Sequence, residues 1–319
     1  MKRFVLTALA ALALANPASA QSDYPNRPIN LILPFAAGSG TDTTTRIISQ
    51  LVGQELGGSF VIENKAGANG SIAAQFVARA KPDGYTLLVT TNTTHSANPS
   101  LLKNMSYDPI KDFVPVARTG DLPFFLLVHP DVKANNVKEL IALAKASPGK
   151  LTYASGSSSS SVSGATFARR AGIDILHVPY KSSPPALNDL LGGRTTMMFV
   201  DVPTGMPHVI SKALRPFAMT TRTRSPLMPD LPSMEEAGVP DFDISSWQGW
   251  FAPAGTPQPI VEKLNAAIQK VIKDPALKSR LAEMGMDAFS GSQADFDKFV
   301  KDQLVLWTRL IKDAGIEPM

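Results

Sequence analysis

In three places in this 319-residue chain a short apolar run opens into a loop of small residues, and the loop leads into a segment with helical period. Ile29–Leu33 ends at Pro34 and is followed by Phe35-Ala36-Ala37-Gly38-Ser39-Gly40-Thr41-Asp42. Ile47, Ile48, Leu51, Val52 and Leu56 then share one helical face, which Gly57-Gly58 close. Phe60-Val61-Ile62 opens into Asn64-Lys65-Ala66-Gly67-Ala68-Asn69-Gly70, before a helix marked by Ile72, Phe76 and Val77. Residues 151–154 open into Ser155-Gly156-Ser157-Ser158, before a helix that holds Phe167. Strand alternating with helix argues for a mainly parallel sheet flanked by helices. It also places these loops at helix N-termini, where backbone N–H groups and hydroxyls can hold an anion.

The remaining pattern divides the chain in two. Residues 85–90 form a third strand, ended by the polar loop Thr91-Asn92-Thr93-Thr94-His95. The alternation restarts with a strand over 124–128, a helix over 137–146, strands over 173–177, 197–200 and 216–219, and a helix over 184–191 opened by proline. Crossings between the two α/β halves are expected near residues 118–123 and 245–251. After Pro253 the pattern is helical. Ile260, Leu264, Ala267, Ile268 and Val271 make one stripe; Asp274-Pro275 reads as an N-cap and first helical residue. Behind a cap at Ser292, Phe296, Phe299, Val300, Leu304, Trp307 and Ile311 make a long apolar face.

Charge and targeting narrow the function. Met1-Lys2-Arg3, an apolar run over 4–14 and Ala18-Ser19-Ala20 make an export segment, with cleavage expected after Ala20 and a periplasmic destination. That run is shorter than the roughly 20 residues a membrane span needs. There are 31 basic and 27 acidic side chains, and two of the basic ones lie in the leader. A nearly balanced chain gives no reason to expect nucleic acid. Cysteine is absent, which excludes disulfides, thiolate chemistry and a lipoprotein anchor.

No motif brings chemistry to the loops. Gly38-Ser39-Gly40 lacks the third glycine of a dinucleotide fingerprint, since Thr43 stands there, and no phosphate-loop motif occurs. Asp42 reads as an N-cap, because an acid aimed at an anion would repel it. The serine tract 157–161 contains no nucleophile elbow. Ser155, His177 and Asp201 could be arranged as a hydrolytic triad, and an exported hydrolase is the enzyme alternative. None of His95, His129, His177 and His208 is spaced from another as a metal pair. His95 is the best functional candidate of the four. Lys181 could pair with a ligand carboxylate or be simply solvated.

At these residues the chain resembles the periplasmic receptors of tripartite tricarboxylate transporters, the Bug-type solute-binding proteins. The likeness rests on residues 34–42 and 64–70, His95 with Asn98-Pro99, and His177-Val178-Pro179-Tyr180-Lys181. It continues through residues 222–232, Glu236-Ala237-Gly238-Val239-Pro240, Trp247, and Phe251-Ala252-Pro253-Ala254-Gly255-Thr256-Pro257. The chain departs from the family pattern in three places: Ser39 replaces a glycine, Lys65-Ala66 and Asn69 alter the second loop, and Ser161 and Ala165 stand where His and Glu are frequent.

The resemblance implies a two-lobed type II periplasmic-binding-protein fold, each lobe a mainly parallel sheet flanked by helices, with the ligand cleft between the lobes. Residues 21–120 and 249–319 would form the first lobe and 121–248 the second. It implies no enzyme activity, no cofactor and no metal. The expected partners are a small organic carboxylate, a dicarboxylate or aromatic acid, and the membrane permease of such a transporter; a sensor docking on a membrane regulator is the alternative. The protein is expected to be a monomer. The expected binding residues are Phe35, Ala37, Gly38, Ser39, Gly40 and Thr41 of the first loop and Ala66, Gly67, Ala68 and Asn69 of the second. Thr91, Asn92 and His95 would add the third-strand loop. Ser155, Ser157, Ser158, Tyr180 and Asp201 would complete the site from the second lobe.

Overall fold

The computed structural model describes residues 24–318; the expected export segment lies outside them. In the first half, β1 (Ile29–Leu33) lies between β2 (Phe60–Asn64) and β3 (Thr86–Thr91), parallel to both, with α1 (Gly40–Leu56) and α2 (Ser71–Ala78) as crossovers. A π-helical turn, Thr93–Ala97, and α3 (Asn98–Leu101) lead to β4 (Phe113–Val128). In the second half α4 (Val137–Ala146) precedes β5 (Thr152–Ser155), α5 (Ser158–Ala171), β6 (Leu176–Pro179), α6 (Ser183–Leu191), β7 (Met197–Asp201), α7 (Val202–Ile210) and β8 (Arg215–Met219). There β5 lies between β6 and β7, again parallel to both. β9 (Ser245–Pro253) returns to the first half, followed by α8 (Gln258–Lys273), α9 (Pro275–Glu283), β10 (Asp287–Ala288) and α10 (Gln293–Ala314).

The long strand β4 belongs to both halves. Its residues 113–123 pair antiparallel with β9, and its residues 124–128 pair antiparallel with β7 and β8. β9 also pairs antiparallel with β3. The parallel pairing expected from the alternation is therefore found in β2-β1-β3 and β6-β5-β7, and the crossing strands make the sheet mixed. The antiparallel pairings are those of the two crossing strands: β9 with β3 and β4, and β4 with β7 and β8.

Residue alternation along β9 builds two layers of the first half. Trp250 and Ala252 point to one face with Ile48 and Val52 of α1 and Ile260, Leu264 and Ile268 of α8. Trp247 and Phe251 point to the other, with Phe296 and Val300 of α10. Gly249 stands between them because a Cβ there would lie 2.2 Å from the Phe296 ring. Trp247 and Trp250 are fully buried. Burial of about 150–250 Å² for each such ring corresponds to about 4–6 kcal/mol of gross transfer free energy.

α10 starts with a capping box between Ser292 and Asp295. The first half of this helix packs on the first-half core, and Trp307, Ile311 and Ala314 join Phe167 and Phe199 of the second half. Asp274 caps α9 as its sequence suggests. The expected apolar face of α2 is different: Ala73, Ala74 and Val77 are buried, whereas Ile72 and Phe76 are about half exposed. The helix lies so close to the sheet that small side chains fill the contact, and the large ones are turned outward.

Candidate functional site

A cavity of about 20 Å³ lies between the halves, lined by Phe35, Ser39, Thr41, Thr91, Leu122, Phe124, Ser157, Ser183, Asp201 and Ser246. Four helices begin at its wall. Ser39 caps α1, Ser157 caps α5, Ser182 precedes α6 and Asp201 caps α7. Each helix N-terminus carries unsatisfied N–H groups and the positive end of a dipole. Hydroxyls dominate the lining, and no lysine or arginine contributes to it. This is an environment for a negatively charged or strongly accepting group.

The first loop is held from behind by Asp42. Ser39, not Asp42, is the N-cap: its Oγ accepts from the Asp42 N–H at 3.3 Å. Asp42 reaches back from the first turn and accepts from the Gly38 N–H at 3.0 Å, from Asn64 Nδ2 at 2.9 Å and from two nitrogens of Arg46. Burial opposes ionisation of this carboxyl, but the donors of Arg46, Gly38 and Asn64 outweigh it and hold Asp42 below the usual carboxylate range.

The expected cradle of free amides is largely occupied. The Gly38 N–H is taken by Asp42, and that of Ser39 by the Ala36 carbonyl. The Ala36 N–H donates to Ser182 Oγ at 3.0 Å and the Gly40 N–H to Thr204 Oγ1 at 2.7 Å, both in the second half. Ala37 and Gly38 shape the loop without lining the cavity. The loop offers the cavity Phe35, Ser39 and Thr41.

Asp201 is the one acid in the lining and is 7% exposed. Its Oδ1 accepts from the Thr204 N–H at 3.0 Å and from the Thr204 hydroxyl. Burial raises its pKa above the ordinary carboxylate value, and the Thr204 donors offset part of that rise.

Other expected residues are placed elsewhere. Asn92 is fully buried beside the cavity, where it exchanges hydrogen bonds with Ser159 of the second half and accepts from Ser246. His95 does not reach the cavity. Its ring stacks on Phe251 with centroids 3.9 Å apart, Nδ1 bonds Thr94 Oγ1 at 2.9 Å, and burial pushes its pKa down to about 3. The polar sequence around it had suggested an open loop, but residues 93–101 are helical and turn the imidazole into the core.

Ala68, Asn69 and Tyr180 line a second, open groove of about 500 Å³ with Ser71, Leu102, Asn104, Ser106, Pro179 and Lys181. Ala66 and Gly67 line neither space. The Tyr180 hydroxyl donates to Asp189 at 2.6 Å. Ser158 is buried at the first turn of α5, outside the cavity lining. Ser155 Oγ and His177 Nε2 are 2.6 Å apart, with the imidazole stacked on Tyr153. Asp201 does not complete a triad with them; its bonded partner is Thr204. Among the described residues no group of three or more potential ligands is arranged to hold a metal.

Sequence reasoning missed Leu122, Phe124, Ser183 and Ser246 in the lining. Leu122 lies in the first expected crossing, Phe124 opens the strand expected after it, and Ser246 lies in the second crossing. Ser182-Ser183 before Pro184 was an available N-terminal signal for α6.

The comparisons agree with this architecture. The chain is 35% identical to the R. palustris protein Rpa4515, whose structure was determined with adipate; the match covers 93% of this chain and 100% of that one at a TM-score of 0.91. It is 35% identical to the periplasmic binding protein BugD, with 93% and 100% covered and a TM-score of 0.89. It is 32% identical to MatC from Rhodopseudomonas palustris with bound malate, with 90% and 100% covered and a TM-score of 0.86. These neighbours are substrate-binding proteins and not enzymes. The family model described as the tripartite tricarboxylate transporter family receptor matches residues 44–316, and the chain belongs to that family.

Proposed function

We propose that this protein is exported to the periplasm with cleavage after Ala20, closes as a monomer over a small organic carboxylate, and delivers it to the membrane permease of a tripartite tricarboxylate transporter. The observation that carries the reading is the convergence of four helix N-termini and six hydroxyl side chains on one cavity between the halves. Such a site stabilises an anion through fixed dipoles, and the hydrogen bonds strengthen as closure excludes water. The neighbours that carry adipate and malate support a carboxylate as the solute.

In this reading residues 21–120 and 249–319 form one lobe and 121–248 the other, with β4 and β9 as the hinge strands. A cavity of about 20 Å³ holds about one water. The halves therefore separate to admit a carboxylic acid and close again around it. Thr41, Ser39 and Thr91 meet the carboxylate from one side, and Ser157, Ser183 and Asp201 meet the solute from the other.

Thermal-shift screening against a carboxylate library that includes adipate and malate, followed by calorimetry, tests binding. A true solute raises the melting temperature in proportion to the logarithm of its concentration over Kd. Loss of uptake of that solute in cells lacking the protein tests delivery. Failure of every carboxylate to bind would remove the solute assignment; normal uptake without the protein would remove the transport role.

A further inference from the structure

The site contains a group that a simple anion pocket would exclude. Asp201 is nine-tenths buried and lines the cavity. Its Oδ1 is held by Thr204, while Oδ2 takes no hydrogen bond from another residue among those described. No lysine, arginine or histidine pairs with it among the described ion pairs. The neighbouring lining is Ser39, Thr41, Thr91, Ser157, Ser183 and Ser246, none of them charged. A carboxyl that lines a cavity with no cation beside it can accept a hydrogen bond from a molecule bound there.

Its position fixes where that donor must be. A Cβ on Gly40 would fall 2.0 Å from Asp201 Oδ1, so the acid rests against the first residue of α1. The carboxylate-binding N-terminus of α1 and the Asp201 carboxyl are thus immediate neighbours across the cleft. A solute whose carboxylate meets Ser39 and Thr41 places the substituent of its adjacent carbon, and not its far end, near Asp201.

We propose that Asp201 is a specificity-determining residue that selects carboxylic acids bearing a hydrogen-bond donor, a hydroxyl or an ammonium, on the carbon next to the bound carboxylate. This rests on the carboxylate reading above. The donor makes a charge-assisted hydrogen bond to the Asp201 carboxyl, whereas an unsubstituted acid offers none and brings a second negative charge close to it. Discrimination by a buried polar group left without its partner is stronger than discrimination by shape.

The test is calorimetry on the mature protein with two matched series: succinate, malate and aspartate, then phenylacetate, mandelate and phenylglycine. Parent protein should bind a hydroxy or amino member of at least one series about tenfold or more tighter than its unsubstituted analogue, the range expected for a buried hydrogen bond to a charged group. Asp201→Asn retains an oxygen to cap α7 but turns an amide donor toward the cavity. It should reduce that preference to less than about threefold, with a melting profile confirming that the variant folds. Equal binding of substituted and unsubstituted acids by the parent overturns this proposal and leaves the carboxylate reading intact. A preference that survives unchanged in Asp201→Asn also overturns it. Absence of binding by all six acids, with another carboxylate bound instead, counts against it as well; absence of binding by any carboxylate overturns both readings.

Discussion

The Gly40 N–H donates to Thr204 Oγ1 at 2.7 Å, and Thr204 in turn donates to Asp201. The first residue of α1 in one half is thereby joined through a hydroxyl to the acid that caps α7 in the other. The same contact uses the absence of a side chain at Gly40, since a Cβ would overlap Asp201 Oδ1. With the Ala36–Ser182 bond and the Asn92–Ser159 pair, it is among the polar clasps across the cleft.

Gly40→Ala therefore opposes closure without harming the helix, where alanine is the better former. With a proven ligand, the variant should stay as expanded in solution scattering as the unliganded protein. Its affinity should fall by about tenfold or more, because overpacking a rigid contact costs about 1–3 kcal/mol. Ligand-induced compaction equal to that of the parent would show that the clasp does not limit closure.

His95 is a packing residue here, stacked on Phe251 and edge-on to Phe113. Its Nε2 has no partner, so His95→Phe removes an unsatisfied buried atom at the cost of the Thr94 bond. The variant should bind ligand within about threefold of the parent, since each of those two effects is about 1 kcal/mol and they oppose each other. A loss of binding in calorimetry, with the melting temperature unchanged, would place the imidazole in the site after all.

Lys65 and Asp42 should behave in opposite ways although both are charged residues at the anion loops. Lys65 pairs with Glu63 and lies over the Phe76 ring on the outer side of α2. Lys65→Ala should change affinity by less than about fivefold, as expected for a peripheral ion pair. Asp42 holds Gly38, Asn64 and Arg46 together, so Asp42→Asn leaves donors facing an amide and should cost about 1–3 kcal/mol of stability. Because its folded pKa is depressed, this contribution is full above the ordinary carboxylate value and is lost as pH falls through the folded one. Urea titrations of both proteins should accordingly converge in strong acid.

Periodicity made the architecture legible because the halves are built from strand–loop–helix units whose buried stripes are local. The stripe 260–271, the caps Ser292 and Asp274 and the crossing near 118–123 all came from residues adjacent in sequence. The cavity was legible in part: Phe35, Ser39, Thr41, Thr91, Ser157 and Asp201 end their strands or begin their helices, which the loop chemistry marks. What could not be read was which atoms the other half would take. Gly38 and Gly40 looked like free amides until Asp42 and Thr204 claimed them, and Thr204 is 164 residues from Gly40. His95 misled because a polar stretch can close into a helical turn and bury its imidazole.

Asp201 also makes a prediction about stability in the absence of any ligand. Burial raises its folded pKa, so between the ordinary carboxylate value, about 3.9, and that raised value the folded protein holds a proton the unfolded chain releases. Unfolding free energy from this group therefore falls as pH rises through the window and stays lower above it. Asp201→Asn has no charge to bury and still offers an oxygen to the Thr204 N–H as the cap of α7. The variant should melt on the order of a few degrees higher than the parent at neutral pH, and the gap should close as pH drops below the ordinary carboxylate value. Asp42 is present in both proteins and cancels from the difference. Melting curves of parent and variant at matched pH values measure it directly. A gap that is absent at neutral pH, or that widens in acid, would mean that the Asp201 carboxylate is stabilised by the converging helix N-termini more than burial disfavours it.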